Sequence, residues 1–195
     1  MLKHFTSSAR TSRNLRSFFA LMLCFVTLNT LAQDKTKTIG NKPRTGSSNT
    51  SYDVVQGGQV GIKMSAGSKP VQLLKLDFHV TSRTNDTIPF KVNVYTMDGK
   101  LVKDNFVTAE IKGTIKKYDQ AQSQLISVDL SPYNVLAKGN ILVAVEFLKT
   151  QPGSNLGFAC GILNGGTYNK YSATHEWKKT PIVGADFSVL VKKLK

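Results

Sequence analysis

The stretch LLKLDFHVT, residues 73–81, alternates apolar and polar side chains without a break after its first residue. Leu74, Leu76, Phe78 and Val80 fall on one face, and Lys75, Asp77, His79 and Thr81 on the other. A period of two is the signature of a strand with one buried and one wet face. The pattern recurs along the chain. Phe90, Val92 and Val94 share a face in PFKVNVYTM, Ile126, Val128 and Leu130 in LISVDLS, and Phe187, Val189 and Val191 in ADFSVLVKK. NILVAVEFLK places Ile141, Val143, Val145 and Phe147 on one side and Leu142, Ala144 and Leu148 on the other, so this strand is apolar on both faces and reads as central.

The connections agree with a strand-only fold. Asp98-Gly99 is a hairpin signal of the type I′ kind, in which both central residues take positive φ. Pro70, Pro89, Pro132, Pro152 and Pro181 fall at strand starts or in loops, where a missing N–H breaks no ladder. About eight or nine short strands with frequent turn signals and no crossover helix predict an all-β antiparallel sandwich, with jelly-roll topology the first choice. No internal repeat interrupts this single domain.

The N-terminus reads differently. Lys3, His4, Arg10, Arg13 and Arg16 precede the apolar run FFALMLCFVTL, which closes on TLAQ with small residues at Thr30 and Ala32. That order predicts a signal peptide over residues 1–32, and the apolar run falls short of the ~20 residues of a spanning helix. No transmembrane span is expected after processing. Removal takes four basic residues and no acid, leaving 22 Lys+Arg against 12 Asp+Glu, a net charge of +10. Residues 33–50, with Lys35, Lys37, Lys42 and Arg44 against Asp34, read as a flexible polar basic tail, and residues 51–195 as the sandwich with a net charge of +7.

An exported basic domain meets anionic polysaccharides, lipid headgroups and wall polymers before nucleic acid. The expected partners are therefore a polysaccharide or another anionic envelope polymer, or an exported protein bound through a sheet edge or sandwich face, and not nucleic acid. The expected location is the periplasm, the outer membrane or the extracellular space. Cys160 alone remains after processing and, on the apolar phase of FACGIL, reads as a small buried hydrophobe.

Several motifs in combination carry a family resemblance: Asp129-Leu130 ahead of Tyr133, Gly165-Gly166-Thr167-Tyr168, Trp177-Lys178-Lys179 and the closing GADFSVLV, together with the FKVNVY strand. Over residues 55–193 the chain resembles the C-terminal β-sandwich of carboxypeptidase-regulatory-like-domain proteins exported by Gram-negative bacteria. The resemblance implies a fold and a compartment. It implies no activity, and the small regulatory-like sandwich that usually precedes this domain has only the polar tail in its place.

The chain lacks the GxSxG, HxH, CxxC and HExxH spacings that nucleophilic or metal chemistry uses. No catalytic residue, metal site or cofactor is predicted, and the chain is read as a non-enzyme. Asp86-Thr87-Ile88 resembles a short acceptor motif for protein O-glycosylation in some Gram-negative bacteria, which makes Thr87 a modification candidate.

The segment GGTYNKYSATHEWKK, residues 165–179, gathers two tyrosines and the chain's one tryptophan. Two readings of it stay open. In the first, Tyr168, Tyr171 and Trp177 stack on a sugar ring while Asn169, His175 and Glu176 bond its hydroxyls. In the second, Tyr168 packs over the end of the sandwich with its hydroxyl in water, and Trp177 caps the core.

Overall fold

Alternation over 73–81 does become a strand, and a far longer one. The computed structural model describes residues 35–41, 48–81, 86–117 and 123–194; the expected signal peptide lies outside them. Among the described residues the regular structure is thirteen strands and one short 3₁₀ turn. The strands are β1 (Thr36–Gly40), β2 (Asn49–Asp53), β3 (Gln59–Val80), β4 (Ile88–Asp98), β5 (Leu101–Asn105), β6 (Ile111–Ile115) and β7 (Gln124–Asp129). After the turn Ser131–Tyr133 come β8 (Leu136–Phe147), β9 (Asn155–Ile162), β10 (Thr167–Lys170), β11 (Lys178–Thr180), β12 (Val183–Ala185) and β13 (Ser188–Lys193). The fold is all-β, antiparallel and sandwich-like. No described helix is long and apolar enough to cross a membrane.

Strand β3 organises the rest. Its 22 residues are too many for one straight strand of the usual 3–10, and the register against β8 slips between Ser65 and Gly67 and again between Gly67 and Val71. Bulges bend a strand and raise its twist. The first half of β3 thereby pairs with β8 and β10, and the second half with β13 and β7. The main path of strands runs β1-β13-β3-β8-β4-β5. As its two apolar faces require, β8 lies between β3 and β4, with Leu142 and Ala144 buried as fully as Ile141, Val143 and Val145.

The core is built from the faces that alternation assigns. Leu76, Phe78, Val80, Phe90, Val92, Val94, Val143, Val145, Phe187, Val189 and Val191 belong to one buried cluster. Its centre is aromatic: Phe78 stacks on Phe187 at 4.9 Å between centroids and 9° between planes, and meets Phe90 edge-on at 5.6 Å. Phe158 closes the group at 5.9 Å from Phe78 and 5.7 Å from Phe187.

Four expectations need correction. Leu73, not Leu74, is the leucine that enters the core, because a bulge where Leu190 and Val191 face Lys75 and Leu73 changes the phase of β3. The two loop residues of the β4–β5 hairpin are Gly99 and Lys100, since Asp98 pairs with Leu101 and Gly99 has φ +58°. The strand count exceeds eight or nine because short segments of three or four residues, β10 to β12, join the ladders. Finally, residues 33–50 are not simply a tail. Residues 36–40 are β1, zipped along β13 with Ile39 buried, and β2 begins at Asn49 and pairs along β9. Residues 36–195 thus form the compact unit.

Candidate functional site

The segment 165–179 divides between the two readings and matches neither. Thr167–Lys170 is strand β10, which pairs Tyr168 with Gly61 of β3 on one side and with Lys179 of β11 on the other. Register places Tyr168, Gly61, Ala144 and Asn93 in one row across four strands, on the face of the sheet opposite the core. Gly61 and Ala144 are the small members of that row. Tyr168 is consequently 2% exposed, with the Lys179 ammonium 5.4 Å from its ring centroid. Its hydroxyl is buried without a hydrogen-bond partner among the described residues, and burial pushes its pKa up. A ring so enclosed offers no face to a sugar, nor is its hydroxyl in water.

Trp177 leaves the segment in another direction. It is half-buried and meets Tyr95 of β4 edge-on, with centroids 5.4 Å apart and planes at 76°. It belongs neither to the buried core cluster nor to a row with Tyr171. Tyr95 in turn donates from its hydroxyl to Gln59 Oε1 at 2.8 Å, and burial raises the Tyr95 pKa. The same oxygen accepts from Asn93 Nδ2 at 3.2 Å, and Asn93 Nδ2 reaches Glu146 Oε2 at 2.7 Å. Lys91 Nζ closes the network on Glu146 Oε1 at 3.1 Å. Gln59 and Asn93 are both buried, and this network gives partners to the Gln59 oxygen and the Asn93 amide nitrogen.

Between β10 and β11 the chain packs down on a pair of glycines. A Cβ on Gly57, where φ is +77°, would lie 2.9 Å from both Ala173 N and Ala173 Cβ, and one on Gly58 would lie 2.7 Å from the Tyr171 carbonyl oxygen. Only glycine admits that approach at that φ. Gly57→Ala should therefore lower stability by about 1 to 3 kcal/mol, measured by urea unfolding, and should loosen Tyr171. Farther along the loop, Ser172 Oγ lies 2.7 Å from His175 Nδ1, and the His175 ring meets Tyr171 edge-on at 5.2 Å. Glu176 is exposed.

Tyr171 and Asn169 line a cleft of about 190 Å³. Its remaining walls come from Ser51, Tyr52 and Asp53 of β2, Gln59 and Val60 of β3, Phe147 of β8, Asn155 of β9, and Lys170. Its buried lining is Val60, Phe147 and the polar Gln59, whereas Asp53, Asn155 and Tyr171 are exposed. Gln59 has its oxygen committed to Tyr95 and Asn93, so its NH₂ is its remaining hydrogen-bonding end. Two of the six residues chosen from sequence thus enter one site. Tyr52, Asp53, Gln59 and Asn155 were missed, and local pattern offers no signal for them: segments 51–53, 59–60, 155 and 169–171 meet only through the pairing of β2 with β9 and β10 with β3.

The ionisable side chains elsewhere serve other ends. Asp186 is 2% exposed and accepts from the His79 backbone N–H at 3.0 Å, with His79 Nδ1 at 2.6 Å. Burial raises its carboxyl above the usual range against the opposing effect of His79. Cys160 is buried, and burial followed by the neighbouring Asp186 charge lifts its thiol pKa, the opposite of what a nucleophile needs. Thr87 is exposed beside Asp86, whose Oδ1 accepts the Thr87 N–H at 2.7 Å. The Lys149 ammonium 2.6 Å from Asp86 Oδ2, with the Thr87 bond, holds that carboxyl below its usual value.

No protein-family model and no curated protein matches the chain. Among solved structures it is similar to a chain of "Structure of infectious bursal disease virus Gt strain", at 9% identity and a TM-score of 0.36, over 83% of this chain and 36% of that one. The chain therefore spans about a third of the length of that viral relative.

Proposed function

We propose that the protein is an exported, non-catalytic β-sandwich module of the cell envelope that binds a glycan or another anionic surface polymer, with the cleft around Tyr171 as its site. The observation that carries the reading is the cleft's composition: two tyrosines, two asparagines, an aspartate and a lysine around a buried lining of Val60, Phe147 and Gln59. Tyrosine rings suit the C–H face of a pyranose, and amides and carboxylates orient its hydroxyls. Its volume lies below the roughly 300 Å³ lower bound of drug-sized pockets, so the fitting ligand is one ring or a chain end. The net charge of +7 over residues 51–195 favours an anionic polymer in its approach.

The test is binding of residues 33–195, which keep the whole compact unit, to polysaccharides, peptidoglycan and lipopolysaccharide at low and high salt. One polymer should bind in a salt-resistant manner. Tyr171→Ala should weaken that binding by about tenfold or more, while Trp177→Ala, outside the cleft, leaves it in place. Binding that fades uniformly with salt, or that ignores Tyr171→Ala, would remove the cleft from consideration and leave an exported protein partner at a sheet edge. The exposed Thr87 hydroxyl also suits the proposed O-glycosylation; protein recovered from its native host should show a glycan mass increment that Thr87→Ala abolishes.

A further inference from the structure

Three exposed aliphatic side chains lie on two adjoining turns. Ile162 is 59% exposed, Leu163 83% and Ile182 55%. Ile162 ends β9 and stands opposite Val183 of β12, and the Asn164 N–H donates to the Ile182 carbonyl at 3.1 Å, so the two turns form a single tip. The tip is held firmly from below. Asn41 Nδ2 donates to the carbonyls of Asn164 at 3.1 Å and Ala185 at 2.7 Å, while Thr167 Oγ1 donates to the Val183 carbonyl at 2.8 Å and accepts the Ala185 N–H at 2.9 Å.

Two of the three side chains sit on backbone that disfavours them. Leu163 has φ +60° and Ile182 φ +72°, and a β-branched residue with positive φ is an outlier that costs stability. Neither recovers that cost by burial. Strain of this kind on exposed residues points toward a binding role.

We propose that the Ile162–Leu163–Ile182 tip docks on an anionic lipid bilayer, its aliphatic side chains entering the headgroup boundary. Charge favours this occupant: Lys178 and Lys179 are exposed on the strand leading into Ile182, Lys179 also covering Tyr168, and between Leu156 and Ala185 the sole acid is Glu176. Size argues against a protein partner. Three side chains on two turns supply far less than the roughly 800 Å² that each side of a stable protein interface buries, whereas a bilayer takes up isolated aliphatic groups without a matched surface and adds attraction for nearby lysines.

The experiment is co-sedimentation of residues 33–195 with phosphatidylcholine vesicles with and without phosphatidylglycerol. Binding to the anionic vesicles is expected. Leu163→Asn should reduce it by roughly tenfold, and because asparagine tolerates positive φ the melting temperature should hold or rise. Lys178→Gln, which removes one lysine charge, should weaken binding by about fivefold. Equal binding of wild type and Leu163→Asn at unchanged stability would overturn the proposal by showing that charge alone is responsible, as would failure to sediment with anionic vesicles. Polymer binding at the Tyr171 cleft should survive Leu163→Asn, which keeps the two sites separable.

Discussion

Phe78→Ala should lower stability by about 3 to 5 kcal/mol, roughly 6 to 20 °C of melting temperature at ~2 to 4 °C per kcal/mol for a domain of this size. Phe78 is fully buried, and its ring touches three others, Phe90, Phe158 and Phe187. Those neighbours come from β4, β9 and the approach to β13, so no single strand can shift to refill the space. The cost of a truncation depends on how well the site collapses, and a site walled by separate strands collapses poorly. Phe106→Ala is the comparison, since Phe106 is partly buried against the edge of the cluster and should lose less. Chemical unfolding of both variants checks the ranking; a Phe78→Ala loss below that of Phe106→Ala would refute the central role of the aromatic group.

The second large effect concerns Asp186. Its Oδ1 accepts the His79 backbone N–H, and Asp186→Ala would leave that donor without its partner, at a cost of about 1 to 3 kcal/mol. Asp186→Asn keeps an acceptor oxygen and removes the charge, which isolates the pH dependence. Burial is the largest influence on the carboxyl and raises its pKa; the His79 contacts oppose it and are smaller. A carboxyl that holds its proton more tightly in the folded state contributes stability that is full below the unfolded pKa and is lost as pH rises through the folded one. Wild type should therefore lose ground against Asp186→Asn as pH climbs from about 3 toward 7, and paired melting curves measure the difference. A wild type that gains on the variant over that range would show that His79 more than offsets the burial of the charge.

Much of the architecture was legible because one-sided burial writes itself into alternation. Phe90, Val92 and Val94, or Val143 and Val145, face inward for the reason their spacing predicts. The failures have physical causes. Strand β1 carries one apolar residue, Ile39, and is held by its ladder to β13, so composition could not distinguish it from a tail. The bulge at Leu190 and Val191 exchanges Leu73 for Leu74, and a bulge has no period. Tyr168 looked like a surface aromatic because its burial depends on Gly61, more than a hundred positions away, lying opposite it. The cleft was half legible for the same reason: Asn169 and Tyr171 stand in the aromatic segment, while Tyr52 and Asn155 reach them only through long-range pairing.

The pairing of β1 with β13 also sets the order in which the molecule can be completed. Ile39 lies opposite Val189, 150 residues later (189 minus 39). At a synthesis rate of about 5 to 20 residues per second, β1 waits roughly 8 to 30 s for its partner, and a ladder closed over such a separation belongs to the slow, non-local class of folding events. During that interval β1 is an unpaired strand, the kind of segment that templates aggregation. Its sequence, TKTIG, with a lysine, two threonines and one isoleucine, offers little for another chain to bury. The polarity that made residues 36–40 resemble a tail is the same property that lets them wait safely for the end of the chain.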